Sequence, residues 1–197
     1  MKKTLLLFTL ISFNVTVFCQ KVNLLSFEKE SRKITKKGML VLGGFSAASI
    51  IGGAISTNSS SSQAKYFNQM NVIWGSANLL FAGLGYVSSL KTNTKDSTFL
   101  QLLLHQNKVS KTFLFNAGLD VAYVTTGLYL TEKSKTNTNP AKIKGYGNAV
   151  MLQGGFLLLF DAFMYLNHNN HGKKLTFITN NLAIIGTPVG LAIRLNL

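Results

Sequence analysis

GYGNAVMLQGGFLLLFDAFMYLN, residues 145–167, decides the reading of this chain: 23 residues with one charge, Asp161. As a helix rising 1.5 Å per residue it would reach about 34 Å, enough to cross the roughly 30 Å hydrocarbon layer of a bilayer with modest tilt. Three further blocks have the same character. Residues 38–55 (GMLVLGGFSAASIIGGAI) and 68–90 (NQMNVIWGSANLLFAGLGYVSSL) carry no charge, and residues 112–131 carry only Asp120. A water-soluble all-α domain built from four such helices would have few polar faces for solvent. The pattern therefore predicts an all-α fold, a polytopic transmembrane four-helix bundle over residues 38–167.

The rest of the composition is consistent with a bilayer. Among 197 residues, 20 Lys+Arg face 6 Asp+Glu, a net charge of +14, yet 47% are hydrophobic and only 13% charged. Lys accounts for 18 of the basic residues, and only Arg32 and Arg194 are Arg. Phosphate recognition on nucleic acids recruits Arg forks and exposed aromatics on a basic face. Here the Lys residues sit in links between apolar blocks, so nucleic acid is excluded as a partner and anionic lipid headgroups are the expected one.

Outward from the blocks, Met1-Lys2-Lys3 followed by an apolar run from Leu5 to Phe18 reads as a secretory signal peptide, residues 1–19, with cleavage after Cys19. Cys19 is the only cysteine, so a mature chain would have no disulfide and no thiolate nucleophile. Residues 20–37 set Leu24, Phe27 and Ile34 against six basic residues, an amphipathic basic lead-in at the headgroups. The run from Thr98 to His105 is too short to span and is expected to lie along the interface. Residues 168–197 form a C-terminal tail. Its end alternates Leu191, Ile193, Leu195 and Leu197 with polar or small residues after Gly186-Thr187-Pro188, which predicts a short β-hairpin able to pair with a partner's sheet edge or a second copy. Orientation is the one conflict: an exported Gln20 puts thirteen Lys/Arg outside and five inside, against the positive-inside tendency.

Within the blocks the polar residues fall in stripes. Asn71, Trp74, Asn78 and Gly85 share one face of the second block; Asn116, Asp120, Tyr123 and Gly127 share one of the third. Gly147, Gly154 and Asp161 recur at intervals of seven in the fourth, beside Gln153. Polar side chains in hydrocarbon seek one another or a water-filled cavity, so Asn78, Asn116, Asp120, Gln153 and Asp161 form the candidate intramembrane site. These residues either clamp the helices together or line a path for a proton, ion or small solute. Gly44, Ala48 and Gly52, at four-residue intervals, predict a small-residue ridge for close helix packing.

Enzyme signatures are missing: no phosphate-binding glycine loop, no nucleophile elbow, no His pair at metal spacing on a helix. His168 and His171 fall in an Asn/Gly/Lys stretch that reads as a solvated link, and neither a metal nor a cofactor is expected.

Tyr66-Phe67-Asn68-Gln69-Met70-Asn71-x2-Trp74-Gly75-x2-Asn78 and Gly145-Tyr146-Gly147-Asn148-x3-Leu152-Gln153-Gly154-Gly155-Phe156-x3-Phe160-Asp161 resemble an uncharacterised family of small bacterial proteins with a signal-like start and four hydrophobic helices. The resemblance covers most of residues 38–167 and implies no activity, but it marks Asn78, Gln153 and Asp161 as parts of a motif. The expectation is an exported, multi-pass protein of the bacterial cell membrane with a structural or interaction role. A small transporter or channel component using Asp120 and Asp161 is the alternative, and a membrane-bound enzyme the poorer one.

Overall fold

A computed structural model describes residues 24–56, 61–91, 98–180, 182–187 and 190–195, with side chains described through residue 175. The signal-peptide reading of residues 1–19 lies outside them. Four long helices make up the fold: α1 (Leu24–Ile55), α2 (Ser62–Leu90), α3 (Phe99–Lys133) and α4 (Pro140–Asn180). A short 3-10 turn, Ser134–Thr136, follows α3. Beyond α4, β1 (Leu182–Thr187) and β2 (Gly190–Leu195) pair antiparallel.

Three boundaries differ from the sequence reading, and for one reason: nothing in the polar stretches breaks a helix. From Leu24 onward the lead-in and the block 38–55 are one helix, α1. Gly38 is not a break but a contact point, since a Cβ there would lie 2.3 Å from the Met164 sulfur. The run from Thr98 to His105 is likewise the first two turns of α3. Thr98 caps it, accepting from the Gln101 backbone N–H while the Gln101 side chain accepts from the Thr98 N–H, a capping box. Finally, α4 starts on Pro140, whose missing N–H costs nothing in a first turn, and continues through His168 and His171 to Asn180. The tail therefore begins after residue 180, not at 168.

In the bundle α1 packs on α2, α2 on α4, and α4 most extensively on α3. Among the described residues the backbones of α2 and α3 stay apart and the two helices meet through the rings of Trp74 and Tyr123, which leaves a cleft between them floored by α1 and α4. A cluster of Met39, Leu42, Ala82, Phe113, Leu157, Phe160 and Met164 forms the core at mid-height. A smaller one, Phe27, Leu102 and Leu175, closes the end where α1 begins.

The surface carries many large apolar side chains, and the interior many polar ones. Leu80, Phe81 and Leu84 of α2, Phe115 of α3, and Leu159 and Phe163 of α4 are each 65–74% exposed, whereas Gln153, Ser46 and His168 are 0% exposed. A face of this kind has no favourable contact with water. α1 and α4 each contain an 18-residue window long and apolar enough to cross a membrane.

The ridge Gly44, Ala48 and Gly52 is not where α1 packs. All three are exposed, and a Cβ on Gly44 or Gly52 would meet nothing within 4 Å. α1 instead turns Leu42, Ser46 and Gly53 inward. There a Cβ on Gly53 would lie 2.7 Å from the Asn68 carbonyl, and one on Gly75 of α2 would lie 2.9 Å from the Ser46 carbonyl. The four-residue spacing was right for a helical stripe but belongs to the outer face.

Candidate functional site

Gln153, on α4, is the centre of a buried hydrogen-bond hub. Its amide nitrogen donates to Asn71 Oδ1 at 2.8 Å and to Ser49 Oγ at 3.1 Å, and its oxygen accepts from Asn78 Nδ2 at 3.4 Å. Three helices, α1, α2 and α4, are thus tied through one side chain. Every polar group involved is inside a bundle whose outside is apolar, so the alternative to these bonds is an unsatisfied polar group.

Asn78 also lines a cavity of about 400 Å³ on the cleft between α2 and α3, and the two buried acids meet there. Asp120 of α3 and Asp161 of α4 are side by side on its wall, near enough to interact, with Asn116 beside Asp161. Asp120 Oδ2 has no hydrogen-bond donor from the surrounding protein. No Lys, Arg or His lines the cavity; Trp74 and Tyr123, in edge-to-face contact at 4.9 Å, form one wall, and Leu157 and Phe160 the floor. Asn78, Asn116, Asp120 and Asp161 are therefore brought together on one cavity, and Gln153 reaches it through Asn78.

The stripe of small residues explains the acids' proximity. Gly127 and Gly147, then Gly154 against Tyr123 and Val124, let α3 and α4 approach backbone to backbone. Asp120 and Asp161 lie seven residues along each helix from Gly127 and Gly154, so the helices are still close when the carboxyls are reached.

A second hub was not expected from sequence. Gln106, 1% exposed on α3, accepts from Ser31 Oγ at 2.8 Å and donates to the His168 carbonyl at 2.6 Å, linking α1, α3 and α4. Its nitrogen also approaches His168 Nδ1 at 3.3 Å, while His168 Nε2 lies 3.2 Å from Thr35 Oγ1. These contacts fit a neutral ring with its proton on Nε2. Burial, with smaller contributions from His171 and His105, pulls His168, just beyond the 145–167 stretch, down to about 4. His171 is lowered too, by burial, against the opposing pull of its bond to the Phe27 carbonyl and of Glu30. The solvated-link reading of these histidines is thus overturned: both are buried in α4 and stacked on Phe113 and Phe27. Their signal in the sequence was helical spacing, with Met164, His168, His171 and Leu175 falling on one face.

A second cavity, about 500 Å³, opens at the level of this hub, between the end of α2 and the first half of α3. It shares Met39, Gly85 and Phe113 with the acid cavity, so the two are halves of one cleft separated by those three residues.

Fold and site together define a four-helix bundle with large apolar side chains on its surface and buried polar hubs beside its hydrophobic core. Residues 41–162 match the family of unknown function DUF6992, and the chain belongs to that family. The matched region contains both acids, Gln153 and Gln106, but neither His168 nor His171. No curated protein and no solved structure matches the chain.

Proposed function

We propose that the chain is a multi-pass membrane protein of the cell envelope, spanning through residues 38–55, 68–90, 112–131 and 145–167. Its working part is the Asp120–Asp161 pair, a site that takes up and releases a proton in the α2–α3 cleft. One observation carries the reading: two carboxyl groups side by side, with no cationic partner, on the wall of a cavity. Ionisable side chains at membrane depth are costly, and their usual justification is a pathway or a relay. A purely structural pair of acids could be replaced by apolar side chains at no loss.

A structural or interaction role, the second reading, draws on the Gln153 and Gln106 hubs, which hold helices and need no solute. The two readings separate on one pair of substitutions. In proteoliposomes loaded with a pH-sensitive dye, the wild-type chain should carry protons down an imposed potential, and Asp120→Asn with Asp161→Asn should abolish this while the protein still purifies as a folded species. Unchanged proton flux in the double variant would leave the structural role standing. The membrane arrangement is checked by single cysteines at Lys37 and Lys135, at opposite ends of the bundle, which should react with impermeant maleimide from opposite sides.

A further inference from the structure

We infer that the outer half of the cleft is a binding site for a phosphate-type oxyanion, held by Lys91 and Lys108. The 500 Å³ cavity is lined by three permanent cations, Arg32, Lys91 and Lys108, and by one acid, Glu28. Glu28 is already committed: it pairs with Arg32 one helical turn away, on α1. Lys91 and Lys108 enter no ion pair among the described residues, so among these residues the wall they form carries two uncompensated charges, the charge of a phosphate in the opposite sign.

The position of the two lysines suits the same ligand. Lys91 is the first residue after α2 and ends the uncharged stretch 68–90; Lys108 precedes the apolar stretch 112–131 by one turn of α3. Both therefore stand where a spanning segment meets the headgroup layer, the depth at which phosphates of anionic lipids concentrate. Ser88 and His105 line the same cavity and add further polar groups. The cavity adjoins the inner one along the cleft, whose wall there includes Phe81 of α2, 67% exposed, and Leu119 of α3, 42% exposed. A phospholipid could place its headgroup phosphate between the lysines and its chains along these side chains; a free phosphate compound could use the lysines alone. The shared chemistry is the oxyanion. The site is independent of the carboxyl pair, which lies beyond Met39 and Phe113.

The test uses the full chain purified in neutral detergent. One arm exchanges it into mixed micelles of phosphatidylglycerol and phosphatidylcholine and counts retained lipids by native mass spectrometry; the other titrates inorganic phosphate and follows the ³¹P line width. Wild type should retain phosphatidylglycerol over phosphatidylcholine, or broaden the phosphate line, and Lys91→Gln with Lys108→Gln should reduce that effect about tenfold. Lys142→Gln with Lys144→Gln, at the far end of the bundle, and Asp120→Asn with Asp161→Asn should leave it unchanged. A preference seen only with lipid assigns the site to a headgroup; an effect of phosphate alone assigns it to a soluble compound; either supports the proposal. Binding that survives loss of both lysines, or no binding in either arm by a wild type of native helicity, overturns it. Proton flux lost in the Asp variant with oxyanion binding intact would keep the two proposals apart.

Discussion

Gly127 and Gly147 stand back to back where α3 crosses α4: a Cβ on Gly127 would lie 2.7 Å from the Gly147 carbonyl, and one on Gly147 would lie 2.8 Å from the Gly127 carbonyl. The atoms in the way are backbone, which cannot rotate aside. Gly127→Ala or Gly147→Ala should therefore force the helices apart and cost about 1–3 kcal/mol, the range for overpacking a close contact. Gly44→Ala, where a Cβ meets nothing, should cost almost nothing and gain slightly in helix propensity. Thermal unfolding in detergent, followed by the fluorescence of Trp74, the chain's one tryptophan, compares them. Equal melting temperatures for Gly127→Ala and Gly44→Ala would show that this crossing is looser than the geometry states.

His168 makes stability depend on pH. The folded ring stays neutral down to about 4, whereas an unfolded ring titrates near its ordinary 6.5. Between those values the unfolded chain binds the extra proton, so stability falls as pH drops from 6.5 to about 4 and levels off below. The loss is about 3 kcal/mol at most. His168→Gln, which keeps a hydrogen-bonding side chain but cannot titrate, should flatten that slope while lowering stability at neutral pH. A slope as steep in the variant as in wild type would move the effect to another group.

The hydrophobic blocks made the helices and their number legible, because uncharged runs of about 20 residues have few other uses. The polar stripes made the inward faces of α2, α3 and α4 legible for the same reason, and the structure brings Asn78, Asn116, Asp120, Gln153 and Asp161 together. What the sequence hid was continuity and pairing. Charge at residues 29–37 and 105–111 looked like separation between helices, but Lys side chains on an exposed helical face are compatible with uninterrupted helix. Gly44, Ala48 and Gly52 form one helical stripe of α1 and Leu42, Ser46 and Gly53 another, and a one-dimensional period does not say which of two stripes is inside. Gln106 gave no signal at all, since its partners, Ser31 and His168, are 75 and 62 residues away.

Met39 separates the two halves of the cleft. Its thioether lies against Gly85, where a Cβ would come within 2.4 Å of the sulfur, and both cavities are lined by it. Met39→Ala should remove that partition and expose the inner cavity to the outer. With Cys19 replaced by Ser and a single cysteine at Asn116, an aqueous methanethiosulfonate should react faster in the Met39→Ala background, by about tenfold. An unchanged rate would mean that Phe113, the other side chain at the constriction, closes the path without help from Met39.

Gln153 and Gln106 play the same mechanical part on different helices, and substitution should reveal which cleft wall each one supports. Gln153→Leu removes a donor from Asn71 and Ser49 and an acceptor from Asn78, leaving two buried side chains and the half-buried Ser49 to find new partners; the loss should be about 2 kcal/mol. Because Asn78 lines the acid cavity, the Gln153 variant should also impair proton flux through the Asp120–Asp161 pair. Gln106→Leu breaks bonds to Ser31 and His168 at the opposite side of Met39, so it should destabilise to a similar extent but leave flux per folded molecule intact. Flux and melting temperature measured on the same preparations decide it. Equal flux loss in both variants would mean that the bundle transmits either disturbance to the acids, and that the hubs do not divide the cleft between them.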